Sequence, residues 1–138
     1  MLTRVFREQH TRIRQLASEL EALNVPDLDA ALVRNRLAGL SGAVKSHLAG
    51  EDRGFYPALL IHTDPAVRER AGEFQNSMGS LAGAYLAFYE TWRASGAIEA
   101  GPAAFFAELH GVLEALRVRM DLEDAQLYAL ADRVLTTV

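Results

Sequence analysis

His47-Leu48-Ala49-Gly50-Glu51-Asp52-Arg53-Gly54-Phe55-Tyr56-Pro57 is the stretch on which the reading of this chain turns. It returns in altered form as Arg119-Met120-Asp121-Leu122-Glu123-Asp124-Ala125-Gln126-Leu127-Tyr128-Ala129. In both copies a Glu-Asp pair stands at the same offset before an apolar-Tyr step. Upstream, Glu8-Gln9-His10 is matched by Glu73-Phe74-Gln75. The sequence reads as one pattern used twice. Where the first copy carries His10 and His47, the second carries Gln75 and Arg119. His47 and Glu51 are one turn apart on a shared helix face, and Arg119 and Glu123 repeat that relation.

Apolar residues recur at three and four throughout, and no segment alternates as a strand does, which predicts an all-α chain. Thr3 is the expected N-cap of a first helix that carries Phe6, Ile13, Leu16, Leu20 and Leu23 and stops before Asn24-Val25-Pro26. Asp27 or Asp29 opens a second helix through Leu32, Leu37, Leu40, Val44 and His47, bent near Pro57 and ending near Leu60-Ile61. Asp64-Pro65 opens a third, through Phe74, Met78, Leu81, Tyr85, Phe88 and Trp92 to Ser95-Gly96. Gly101-Pro102 begins a fourth, which runs to Val134. Four long helices with short connections predict an up-down-up-down four-helix bundle, one domain over residues 1–138 built from two pseudo-symmetric helix pairs. Gly79 and Gly83 are expected at close helix contacts, and Gly50 is the glycine best placed to leave room at a site.

At a rise of about 1.5 Å per residue, His10, His47, Glu51, Gln75, Arg119 and Glu123 reach similar heights in such a bundle. Imidazole with carboxylate suits iron, zinc or manganese, and a mononuclear site needs about three protein ligands with positions open to water. His10, His47 and Glu51 supply three, and Glu123 a fourth. Gln75 is a weak neutral ligand, and Arg119 keeps its proton and binds no metal. The Arg119 guanidinium is suited to the place of a second cation, paired with Glu51 and Glu123, which are costly to bury alone. Plainer readings stay open beside these. His10 and His47 can be hydrogen-bonded core residues, and the two glutamates can be salt-bridge partners of Arg119 with no metal. Tyr56 and Tyr128 are either donors to the carboxylates or packing residues at the bundle end.

In these residues the chain resembles the hemerythrin-like family, the HHE cation-binding domains, over nearly its whole length. The resemblance implies two pseudo-symmetric helix pairs, each giving a histidine from its first helix and a His-x-x-x-Glu from its second, around two carboxylate-bridged irons. That pattern falls on His10, His47 and Glu51 in the first pair and on Gln75, Arg119 and Glu123 in the second. Phe55-Tyr56-Pro57 after Glu51-Asp52 is the most specific local match. Both histidines of the second pair are replaced, and the further third-helix histidine of oxygen-carrying members is lacking. The expectation is a partial site for one iron or zinc.

The chain of 138 residues is 50% apolar and 8% aromatic, a balance that favours helix over sheet. A formal charge of −4, with arginines scattered among acids, offers no basic stripe to nucleic acid or an anionic membrane. The lack of cysteine excludes disulfides, thiolate metal sites and cysteine nucleophiles. Neither a secretory apolar core nor a run of membrane-spanning length is found, so a soluble cytoplasmic protein is expected. His110 lies half a turn around its helix from Arg119 and is set aside; His62 falls at a helix end, where a cation suits the dipole. Phe74, Tyr85, Phe88, Tyr89 and Trp92 read as core and rim. Three functions compete: a metal-binding or sensing module, a degenerate metal-free relative that engages a protein partner or its own copy, and an enzyme. The last is disfavoured, since Glu-x-x-His, His-Glu-x-x-His, Gly-x-Ser-x-Gly and phosphate-binding glycine loops are all missing from the sequence.

Overall fold

Two aspartates set helix starts by satisfying amides that the first turn leaves without intrahelical partners. Asp29 accepts from the Leu32 amide, and Asp64 accepts from the Ala66 amide. The computed structural model describes residues 3–135, with Met78 described by its backbone alone, so its place on the third stripe lies outside the described residues. The chain runs through α1 (Arg4–Glu21), α2 (Ala30–Gly50), a π-turn (Glu51–Phe55), α3 (Tyr56–Leu60), α4 (Pro65–Met78), α5 (Leu81–Trp92) and the short α6 (Ala97–Ala100). It continues through α7 (Pro102–Leu122), a second π-turn (Glu123–Leu127) and α8 (Tyr128–Val134). These segments make four arms in up-down-up-down order: α1, α2 with α3, α4 with α5, and α7 with α8. The α1 helix packs on α2 and α7, α5 packs on the same two, and α4 packs on α3. Among the described residues no helix is long and apolar enough to cross a membrane.

Four local expectations need correction. Thr3 flanks α1 but does not cap it; its hydroxyl donates to the Asp132 carboxylate at 2.8 Å and ties α1 to α8. The expected bend at Pro57 is instead the first π-turn, which begins at Glu51. Proline does not cause it, because the second π-turn is followed by Ala129 where the first has Pro57. The third helix is not continuous but breaks at Gly79-Ser80. A Cβ on Gly79 would meet the Gln75 carbonyl oxygen at 2.7 Å, so the tight backbone at the break requires glycine. Gly83 faces open space, whereas a Cβ on Gly50 would rest on the Phe6 ring at 3.4 Å. Close packing of the kind expected at Gly79 and Gly83 is found at Gly50.

The core has two apolar parts. The larger gathers Ile13, Leu37, Leu40, Val44, Leu113 and Leu116 with Tyr85, Phe88 and Phe105. The smaller, at the α3–α4–α8 end, holds Phe55, Tyr56, Leu59, Phe74, Leu127 and Tyr128. The aromatic series behaves as expected: Phe74, Tyr85 and Phe88 are buried, and Tyr89 and Trp92 pack against the core from its rim. Between the two apolar parts lies a buried polar layer.

Candidate metal centre

That layer is His10 from α1, His47 from α2, Glu51 and Glu123 from the first residues of the two π-turns, and Arg119 from α7, all buried. The π-turns explain how their tyrosines join it. At about 3.6 residues per turn, a residue five positions on lies roughly 140° around an α-helix. A π-turn closes its hydrogen bond over five residues, which returns the fifth to nearly the same face. The amides of Tyr56 and Tyr128 donate to the carbonyls of Glu51 and Glu123, so each glutamate and its following tyrosine face inward together. Tyr56 Oη donates to Glu123 Oε2 at 3.1 Å, and Tyr128 Oη donates to Glu51 Oε2 at 2.8 Å. Both tyrosines are donors to carboxylates and packing residues at once, and each serves the glutamate of the opposite helix pair.

The imidazoles are fixed from outside. His10 Nδ1 lies 2.8 Å from Asp124 Oδ1, and His47 Nδ1 lies 2.7 Å from Gln9 Oε1. Both partners are oxygen acceptors, which places an N–H on Nδ1 and turns the Nε2 atoms inward. The two Nε2 atoms stand 2.9 Å apart. Glu123 Oε1 is 3.2 Å from His10 Nε2, and Glu51 Oε1 is 3.0 Å from His47 Nε2. Ligand atoms of His10, His47, Glu51 and Glu123 all lie within 4.8 Å of one another. Metal–ligand bonds of about 2.0–2.2 Å put neighbouring donors roughly 3 Å apart, so this spacing fits a single ion held between them.

Arg119 closes the other side of the layer. Its Nη2 donates to Glu51 Oε1 at 3.1 Å, its Nε donates to Glu123 Oε2 at 3.2 Å, and the guanidinium carbon sits 5.8 Å from the Tyr56 ring centroid. Burial opposes its charge, but Glu123 and Glu51 outweigh that and raise its pKa. Burial likewise opposes charge on His47, yet hydrogen bonds to Glu123 and Glu51 raise its pKa to about 9. The two carboxylates diverge. Burial raises Glu51, while for Glu123 the same burial is overcome by hydrogen bonds from the histidines, and its pKa falls. Among the described residues, no polar side-chain atom of the layer is without a hydrogen-bond partner.

Five of the six expected positions therefore meet, and Gln75 does not: it is exposed on α4. Only one of the adjacent pair Phe74 and Gln75 can point inward. Burying a phenylalanine contributes roughly 1.5–3 kcal/mol, whereas an amide gains little by burial unless fully hydrogen-bonded. Phe74 takes the inward place, with Val67 and Ala71 on the same stripe. Gln9 and Asp124 were not foreseen as partners of the histidines. Their only signal was adjacency, each standing beside a candidate ligand in the repeated pattern. His110 is exposed, 3.5 Å from Glu21, as its helical phase required. His62 serves by hydrogen bonds more than by charge: Nδ1 accepts from the Asp64 amide, and Nε2 donates to the Val134 carbonyl at 3.2 Å.

Comparison with known families gives a match to the hemerythrin HHE cation binding domain over residues 1–131. Comparisons with curated proteins and with solved structures found no match. Because the family match spans both copies of the repeat, the chain belongs to the hemerythrin HHE cation-binding domain family.

Proposed function

We propose that the protein is a cytoplasmic metal-binding or sensing module that holds one ion, iron or zinc, between His10, His47, Glu51 and Glu123. The observation that supports this most directly is the pair of Nε2 atoms at 2.9 Å with both Nδ1 atoms engaged by outer acceptors. Two imidazole nitrogens at that distance are held together by a shared proton or by a cation between them. Bound there, an iron or zinc ion supplies positive charge that binds the folded chain and not the unfolded one, and so stabilises the bundle. Arg119 takes the place of a second cation, since it pairs with both carboxylates, sharing Glu51 Oε1 with His47 and taking the Glu123 oxygen that His10 does not face. No catalytic role is part of the proposal.

A second reading is supported by the charge balance. With His47 protonated, the layer holds His47 and Arg119 against Glu51 and Glu123 and is neutral without metal. A metal-free module that acts through a protein partner or its own copy fits that balance. Metal analysis of protein purified without a histidine tag separates the two, alongside the His10→Ala/His47→Ala variant. About one iron or zinc per chain, absent from the variant, is the expected result. No metal after anaerobic reconstitution with iron overturns the metal reading and leaves the second. Arg119→His tests the cation replacement, with an expected rise from one metal per chain to two; an unchanged ratio denies it.

A further inference from the structure

Beside the four proposed ligands lies a buried hydroxyl that histidine and carboxylate patterns do not include. Tyr128 is fully buried, and its ring stacks on His10 with centroids 5.2 Å apart and planes 26° apart. Its hydroxyl oxygen lies 3.1 Å from His10 Nε2, 2.8 Å from Glu51 Oε2 and 3.5 Å from Glu123 Oε1. It thus touches three of the four proposed ligands, at the spacing of roughly 3 Å that neighbouring donors around one ion adopt. We infer that Tyr128 is itself a metal ligand, binding through its phenolate oxygen. The inference rests on the metal-binding reading above.

Tyr56 is the internal control that the repeat supplies. It occupies the matching place after the first π-turn and is equally buried. Its hydroxyl meets Glu123 Oε2 at 3.1 Å, and the Arg119 guanidinium lies over its ring. Arginines lie over both rings, Arg119 over Tyr56 and Arg7 over Tyr128, so the difference is at the hydroxyls: that of Tyr56 meets a carboxylate alone, and that of Tyr128 meets a carboxylate and the His10 imidazole. Only Tyr128 stands where a metal ion can replace the phenolic proton. Coordination breaks the O–H bond now donated to Glu51 Oε2, forms an O–metal bond and releases one proton to solvent. A bound cation favours that exchange as it favours deprotonation of other ligands in contact with it, and tyrosinate is an established iron ligand in haem proteins.

The test uses tag-free protein loaded with ferric iron delivered as citrate, with iron per chain measured in parallel. Wild type and Tyr56→Phe are expected to show a visible phenolate-to-iron charge-transfer band. Tyr128→Phe is expected to keep helical circular dichroism and bound iron but to lose the band. A band that survives in Tyr128→Phe, or iron-loaded wild type without one, overturns the inference while leaving the metal reading intact. Wild type that takes up no ferric iron overturns the inference, and if it takes up no zinc either, the metal reading falls with it. Should Tyr128→Phe fail to fold, resonance Raman on wild type decides the matter: excitation in the band must enhance tyrosine ring modes that shift with ring-deuterated tyrosine.

Discussion

The two halves of the buried layer are built from the same repeat and have diverged in what neutralises their carboxylates. On one side His10 and His47 turn their Nε2 atoms toward a common point, held by Asp124 and Gln9. On the other, Arg119 occupies the equivalent of His47 and donates to both Glu51 and Glu123. The scaffold around them stays symmetric: two π-turns, two crossing tyrosines, two glutamates. With both histidines of the second half replaced, the arginine at 119 puts a permanent cation beside carboxylates that the first half sets against imidazoles. The same two carboxylates serve both halves, so a change on either side is felt on the other.

The comparison breaks most sharply at Arg119. Arg119→Met leaves Glu51 and Glu123 buried with half of their counter-charge removed. Breaking a buried ion pair by removal of one partner costs about 3–5 kcal/mol. Urea unfolding of the metal-free variant is expected to show a loss of that size, and added iron or zinc to recover part of it. A loss below about 1 kcal/mol would mean that the carboxylates do not depend on the guanidinium.

Acidity probes the histidine side. His47 binds its proton more tightly folded, at about 9, than its ordinary value of 6.5. Its contribution to stability is therefore fully present below about pH 6.5 and lost as pH rises through 9. The metal-free protein is expected to lose on the order of 3 kcal/mol across that window. Glu51, raised by burial, acts in the same sense. Metal-loaded protein should lose this dependence, because the ion replaces the proton. Denaturation midpoints at several pH values, with and without metal, check both expectations.

Asp124→Asn sharpens the comparison further. The Asp124 carboxylate bridges His10 Nδ1 and Arg14, at 2.8 Å each. Loss of a carboxylate that orients a metal-bound histidine typically costs about 10–100-fold in affinity. Zinc or iron titration is expected to show a drop in that range for Asp124→Asn and a smaller one for Gln9→Ala, whose neutral amide polarises His47 less. Equal effects would remove the distinction between the two histidines. The smallest change expected is at Gln75→Ala, where an exposed side chain should leave metal content unchanged and stability within about 0.5 kcal/mol. A measurable loss of metal there would return Gln75 to the site.

The repeat and the helical spacing already located His10, His47, Glu51, Glu123 and Arg119, because ligands that share a helix face must recur at a period the sequence displays. Gln75 shows where that reasoning stops. Aligning Glu73-Phe74-Gln75 with Glu8-Gln9-His10 gives a residue correspondence, but a helix can rotate by one position to bury Phe74 without leaving a trace in the spacing. The π-turns were equally silent, since a five-residue hydrogen bond shares its composition with an α-helical turn. Pro57 pointed to the right neighbourhood for the wrong reason.

The sequence by itself determined the all-helical bundle, its two-fold repetition, the starts at Asp64 and Pro102, and the loss of two histidines from the second half; it left the second start between Asp27 and Asp29. Periodicity, capping chemistry and residue identity are local properties, and each acts within a turn or two of chain. Tertiary structure alone decided that Phe74 and not Gln75 faces inward, and that Gln9 and Asp124 orient the imidazoles. It alone brought the Tyr128 hydroxyl to 3.1 Å from His10 Nε2, across a sequence separation of 118 residues. Such outcomes depend on which of several acceptable faces a helix presents once all four arms compete for one core, and that competition has no local record.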